Sequence, residues 1–138
     1  MPPPPAARSL DPNADVVVTY QVAGGGTIRF TVRPRYVAGE PVTLTVDVGA
    51  GSVPIRGPLS GRILGSGLEG EKVIRTFGPG TLAPVEVAAD RAARTTVLWD
   101  GRDDDGAPVR ADTYSAAFDF VVGGESVRFG SVIQLVRP

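Results

Sequence analysis

Four aspartates lie close together in one short segment, at positions 100, 103, 104 and 105. Closely spaced carboxylate oxygens are ligands that Ca²⁺ prefers. The first chemistry to consider is therefore a calcium site made by Asp100, Asp103 and Asp105. The spacing differs from the D-x-D-x-D-G pattern of an EF-hand, and no glutamate follows at the position that closes such a loop.

A structural role for these aspartates is the competing interpretation. Aspartate side chains in turns commonly accept hydrogen bonds from the backbone of their own loop, which is the role expected for Asp100 and Asp103, with the other two carboxylates facing water. Arg102 and Arg110 lie within and beside the cluster and would partly neutralise its charge. This pattern favours the structural role over the metal site.

The residue types needed for several common catalytic sites are missing. The chain has no cysteine and no histidine, which excludes disulfides, thiolate nucleophiles, Cys/His zinc sites and Ser-His-Asp arrangements. The triple glycine Gly24–Gly26 lacks the Lys-Ser/Thr and the helix of a phosphate-binding loop. We therefore expect a protein that is not an enzyme and has no cofactor.

Two predicted strands flank the acidic segment. Thr95–Trp99 is rich in β-branched and aromatic residues, and the stretch from Tyr114 to Val122 alternates apolar and polar positions. Trp99 is the expected core anchor, because a buried indole removes a large apolar area from water. Tyr114, Phe118 and Phe120 on the next strand are expected to share that core.

The rest of the chain also predicts short strands. Alternation over residues 15–22 and 27–33, joined by glycines, predicts a β-hairpin. Further strands are expected at 42–48, 72–77, 81–88 and 125–137. The Gly-rich stretch 49–70 suggests two short edge strands near Ile55–Leu59 and Arg62–Leu64, and Ala89–Arg94 suggests a single helical turn. The expected fold is all-β, an antiparallel two-sheet β-sandwich of about seven to nine strands, with a barrel as the alternative.

A family resemblance supports the sandwich. Trp99-Asp100-Gly101, Asp103, Gly106, Pro108-Val109 and Thr113-Tyr114 resemble the signature W-D-G-x-D-x-x-G-x-x-V-x-x-G-x-Y. This signature closes the immunoglobulin-like domains of the flagellar hook-capping type, and similar endings occur in bacterial surface repeats and in intracellular proteinase-inhibitor domains of bacilli. The chain has Asp112 where the family has glycine. The resemblance implies an immunoglobulin-like β-sandwich.

Composition indicates one domain preceded by an arm. The chain has 138 residues, of which 42% are hydrophobic, with 18 glycines and 13 prolines, as expected for a single globular unit rich in turns. Residues 1–14 form the predicted proline-rich arm, and residues 15–138 the predicted domain. A net charge of −1 disfavours nucleic-acid binding, and no apolar run is long enough to span a membrane.

Three functions are compatible with these features. The first is a structural subunit that docks on or bridges a larger protein complex, including peripherally on a membrane complex, through Pro2, Pro3, Pro4 and Pro5 and through its sheet edges. The second is an extracellular ligand-binding or adhesion module, whose ligand or Ca²⁺ would bind the 49–70 or 100–105 loop. The third is a proteinase inhibitor, suggested by the shared ending. The N-terminus lacks signal-peptide features, so the expected compartment is the cytoplasm, or the periplasm or cell surface if a leader was removed.

Overall fold

The computed structural model describes residues 14–67 and 70–138, and every regular element in these two ranges is a β-strand. The strands are β1 (Val16–Gln21), β2 (Thr27–Val32), β3 (Tyr36–Val37), β4 (Val42–Gly49), β5 (Ile55–Gly67), β6 (Gly70–Phe77), β7 (Val85–Val87), β8 (Ala92–Trp99), β9 (Asp112–Val122) and β10 (Glu125–Val136). No helix that could cross a lipid bilayer is present in the described ranges.

The strands form two sheets. One has four strands in the order β1-β2-β4-β8, and the other has six, with β3-β10-β9-β5-β6 in order and β7 beside β5. All neighbours are antiparallel except β3, which runs parallel to β10. The predicted all-β fold with two sheets is confirmed. The predicted hairpin is also confirmed as β1–β2, whose turn includes Gly24 and Gly25 with φ of 85° and 87°, a conformation that glycine adopts without steric cost.

The hydrophobic core lies between the sheets. Alternate residues of β2, β4 and β8 face alternate residues of β5, β9 and β10, as the period of two in each strand requires. Phe30 of the four-stranded sheet stacks on Phe118 of the six-stranded sheet, with ring centroids 5.9 Å apart. It also meets Phe120 edge to face at 6.2 Å. These aromatic contacts connect the two layers.

The prediction of two short edge strands in residues 49–70 is wrong. Residues 55–67 form one strand, β5, which lies inside the six-stranded sheet between β9 and β6. Its glycines are sites of close packing, because side chains at Gly57 and Gly61 would collide with the rings of Phe120 and Phe118. Glycine in a strand marks close approach of a neighbour as well as a turn, and here the neighbour is the aromatic face of β9.

Two smaller expectations also fail. The predicted helical turn at Ala89–Arg94 is a tight turn with Asp90 at φ 62°, after which β8 begins at Ala92. The two-residue strand β3 was not predicted, since two residues show no periodicity. The described ranges therefore contain ten strands, against the expected seven to nine.

Candidate functional site

The acidic segment connects the two sheets, from the end of β8 to the start of β9. Within it, Asp100 Oδ1 accepts a hydrogen bond from the backbone N–H of Arg102 at 3.0 Å. Asp103 Oδ1 accepts from the backbone N–H groups of Asp105 and Ala107 at 3.0 and 2.9 Å. These carboxylates are therefore engaged in shaping the loop.

Asp104 contacts the neighbouring strand and does not simply face water as expected. Its carboxylate accepts hydrogen bonds from the backbone N–H of Thr76 at 2.8 Å and from the Thr76 hydroxyl at 3.1 Å. Its own backbone N–H donates to the Ile74 carbonyl at 2.9 Å. The acidic loop thus lies against the outer edge of β6 and satisfies backbone groups that would otherwise be unpaired.

The geometry does not gather the predicted calcium ligands around one point. In the described part of the chain, no group of three or more Asp or Glu side chains is placed to hold a metal ion. Asp100 instead forms an ion pair with Arg75, with 3.4 Å between Oδ1 and Nη1. The Asp105 side chain is exposed.

The four predicted core anchors lie in the core. Trp99, Phe118 and Phe120 are completely buried, and Tyr114 is nearly so. The indole N–H of Trp99 donates to the Arg102 carbonyl at 2.9 Å, so the anchor also holds the start of the acidic loop. All nine aromatic side chains of the protein are buried or half-buried, and none forms an exposed platform for stacking on a sugar or a base.

The buried polar side chains of the described residues are all engaged within the fold. Every buried side-chain nitrogen or oxygen atom in residues 14–67 and 70–138 has a hydrogen-bond partner, so no buried polar side chain awaits a ligand. Burial raises the pKa of the Tyr36 and Tyr114 hydroxyl groups, and these hydroxyls donate hydrogen bonds to the Thr43 and Arg110 carbonyls. The predicted partner-binding residues Pro2–Pro5 lie outside the described residues.

The edges of the sheets differ in how they are covered. The acidic loop covers β6. At β8, the Thr95 hydroxyl donates to the Ala83 carbonyl in the segment before β7. At β10, β3 pairs with the end of the strand, and the Tyr20 hydroxyl donates to the Gly130 carbonyl at 2.5 Å. Proteins commonly cover or charge their edge strands, because open edges recruit other strands.

Strand β1 lacks these protective features. Within the described ranges it pairs with β2 alone, in a regular register over all six residues, VVVTYQ. It contains no charge, no proline and no bulge, and Val16 and Val17 are 45% and 53% exposed. We therefore take the outer edge of β1, hereafter the β1 edge, as the candidate functional site.

The sequence predicts β1 as a strand but does not predict that it lies at the edge of a sheet. Alternation of Val16, Val18 and Tyr20 with Val17 and Thr19 predicts a strand wherever it lies in the sheet. Its position at an uncovered edge depends on how the other strands pair. The available signal was the absence of charge over residues 16–24 beside a glycine turn.

Comparison with known proteins adds little to this picture. No protein-family model matches the chain, and no curated protein is significantly similar to it. Among solved structures, Pseudomonas fluorescens alkylpurine DNA glycosylase AlkC, bound to DNA containing an abasic site analogue, aligns with 75% of this chain and 28% of its own length. The TM-score is 0.47 and the identity 15%, and a likeness at this level supports no conclusion about fold or activity.

Proposed function

We propose that this protein is a non-enzymatic assembly module that joins protein chains in a larger complex by accepting a strand at the β1 edge. The observation that carries the proposal is a contrast between edge strands. In the described ranges β1 is regular, uncharged and paired on one side only, whereas the other long edge strands carry charged side chains and accept or donate hydrogen bonds to neighbouring segments along part of their length. Adding a strand to an open edge is a common mode of protein association, in which main-chain hydrogen bonds give much of the affinity.

The proline-rich arm is a second part of the proposed docking surface. Pro2–Pro5 cannot add to a sheet edge, since proline has no N–H to donate. A polyproline segment suits an apolar groove on another protein instead. The arm directly precedes β1 in the chain. We therefore propose that a partner binds the arm in a groove of its own and adds a strand to the β1 edge.

The fold best supported by the topology is an immunoglobulin-like sandwich, which we also propose. The chain passes from β2 in one sheet to β3 in the other at Pro34, and β3 then runs parallel to β10. The Tyr114 hydroxyl near the start of β9 donates to the Arg110 carbonyl four residues upstream at 2.7 Å, as in the tyrosine corner of immunoglobulin folds. In this scheme β1 is an additional strand that precedes the usual set.

The hook-capping signature is consistent with this structural role. Gly101 and Gly106 adopt φ of 76° and 85°, which favours glycine at both positions. Trp99 is buried, and Asp103 organises the turn through its carboxylate. The signature residues thus build the connection between the sheets, and the docking surface lies elsewhere on the domain.

A native pull-down with edge variants tests the proposed function. The tagged protein is expected to retain a stoichiometric protein from a lysate of its source organism, and Val17→Lys is expected to lose it. A lysine on an edge strand opposes addition of another strand. Leu98→Lys is the matched control, because Leu98 is also an exposed apolar residue of the four-stranded sheet, on its opposite edge strand. Equal retention by all three proteins, or no bound protein at all, would contradict the proposal.

A further inference from the structure

We infer that the strand accepted at the β1 edge is β1 of a second copy of this chain, in an antiparallel pair with its two-fold axis at Thr19. The inference rests on the proposed function, since it names the partner at the edge proposed for docking. It follows from three features of β1: which backbone groups face outward, which side chains would meet, and the absence of charge.

The backbone groups on the β1 edge can be assigned from the hairpin. The N–H of Val22 donates to the Gly26 carbonyl at 2.9 Å, so Val22 faces β2. In an antiparallel ladder, the residues whose backbone groups face a given neighbour alternate along the strand. Val17, Thr19 and Gln21 therefore direct their N–H and C=O groups to the β1 edge.

A two-fold axis at Thr19 gives each of these backbone N–H and C=O groups a hydrogen-bond partner in the second copy. Thr19 then lies opposite Thr19 of the second copy, and Val17 lies opposite Gln21 of the second copy. Each of the three opposed pairs exchanges two hydrogen bonds, about six in total. The four-stranded sheet would continue without interruption into that of the second copy, and the interface would be isologous because each copy contributes the same residues.

The side chains match on both faces of this pair. On the core face, Val18 would meet Tyr20 of the second copy, and Val16 would meet Val22 of the second copy. Val16, which is 45% exposed in the single chain, would gain an apolar neighbour. On the outer face, threonine meets threonine and Val17 meets Gln21.

Charge also favours a second copy. Like charges placed directly opposite each other destabilise a strand pair, and any charged residue near the axis of a two-fold pair would meet its own copy. Residues 16–22 contain no charged side chain. In contrast, β8 carries Arg94 and β10 carries Arg128. Those two arginines are paired with Asp47 and Asp119, and among these strands β1 is the one that brings no charged side chain of its own to a two-fold pair.

Sedimentation analysis of the full chain tests the inference. The wild-type protein is expected to be a dimer that dissociates on dilution. Thr19→Lys would place two ammonium groups directly opposite each other, and it is expected to weaken dimerisation at least about tenfold. Thr96→Lys is the matched control: Thr96 is an exposed outer-face threonine of β8, in the same sheet, and this variant is expected to dimerise like the wild type.

Charge complementation makes the test specific for the two-fold register. Arg29 of β2 lies opposite Thr19 and donates to its hydroxyl at 3.2 Å, so Thr19→Asp alone is expected to weaken dimerisation less than Thr19→Lys. An equimolar mixture of Thr19→Lys and Thr19→Asp is expected to form a one-to-one heterodimer. Recovery in the mixture shows that both variants are folded and that position 19 of one copy faces position 19 of the other. A dimer of Thr19→Lys as tight as the wild type would overturn the inference.

Removing residues 1–13 separates the remaining explanations. The shortened protein is expected to dimerise like the full chain. Loss of the dimer would assign self-association to the arm, and a dimer found only after shortening would show that the arm itself occupies the edge; either result overturns the inference. A wild-type protein that is monomeric, but whose lysate partner is lost on Val17→Lys, would overturn self-pairing and leave the assembly function standing.

Discussion

Asp119 shows how single residues on the outer face of the six-stranded sheet are held in place. Burial by itself would raise the pKa of its carboxyl group, but hydrogen bonds from the Ser60 hydroxyl at 2.8 Å and Arg128 Nε at 3.0 Å outweigh burial. The pKa of Asp119 therefore lies below its usual value. The three side chains join strands β5, β9 and β10 on one face, so the ionised carboxylate contributes to the stability of the sheet.

This lowered pKa predicts a specific dependence of stability on pH. The unfolded chain binds a proton at Asp119 more readily than the folded chain does, so acid favours unfolding. The stabilisation is fully present above the unfolded pKa of about 4 and is lost as the pH falls through the folded pKa. Asp119→Asn is expected to flatten this part of the profile of unfolding free energy, measured with urea between about pH 2 and 6.

Asp105→Asn provides the control for the pH experiment. Asp105 is exposed, so its replacement removes one carboxylate while the contacts of Asp119 with Ser60 and Arg128 stay in place. If Asp119→Asn and the wild type lose stability in parallel as the pH falls, the carboxylate does not have the assigned role.

At the level of the elements, the acidic loop covers part of the outer edge of β6. On the outer side of β6, the Asp104 carboxylate accepts hydrogen bonds from the backbone N–H and hydroxyl of Thr76, and the Asp104 backbone N–H donates to the Ile74 carbonyl. Arg75 of the same strand donates to the Asp103 carbonyl at 3.2 Å. The loop thereby pairs with part of the β6 edge, and the contact with that edge uses the carboxylate of Asp104, which is not one of the three predicted calcium ligands.

Replacing Asp104 should uncover the edge of β6. Asp104→Ala is expected to lower the free energy of unfolding by about 1 kcal/mol, because two hydrogen bonds to Thr76 are lost but water can reach the exposed groups. Hydrogen exchange of the Thr76 amide should become faster. Asp105→Ala, one position further on, is expected to change stability by less than about 0.5 kcal/mol. Equal effects of the two substitutions, or unchanged exchange at Thr76, would contradict the role given to Asp104.

The elements also show how far the sequence alone could predict the structure. Alternation predicted β4 because one face of that strand is buried along its length, and it predicted β10 because Ser131, Ile133 and Leu135 are buried and the apolar residues before them are half-buried. The sequence did not predict β5 as one strand, because its glycines resemble turn residues. Gly61 is a glycine because a side chain there would collide with the ring of Phe118, more than fifty positions later in the chain. The β1 edge could not be predicted for a similar reason: whether a strand is covered depends on distant residues, such as the loop that covers β6.

At the level of the whole molecule, one core holds both sheets together, and Trp99 lies where the parts meet. Its indole makes an edge-to-face contact with the ring of Tyr114, which belongs to the other sheet; the ring centroids are 5.8 Å apart. Its N–H is bonded to the acidic loop, and its own strand β8 pairs with β4. A change in any of these three parts should alter the surroundings of this single tryptophan.

The domain is therefore expected to unfold as one cooperative unit. Small single domains with one core commonly lose all their structure in one transition, which different probes then report at the same point. Tryptophan fluorescence reports the contacts of Trp99, and far-ultraviolet circular dichroism reports the strands of both sheets. At a fixed protein concentration, the two urea unfolding curves should coincide within error, and Tyr114→Phe should shift both midpoints to lower urea together, because it removes the hydroxyl bonded to Arg110. A fluorescence change that precedes the loss of strand signal would show instead that the connection between the sheets opens before the sheets themselves unfold.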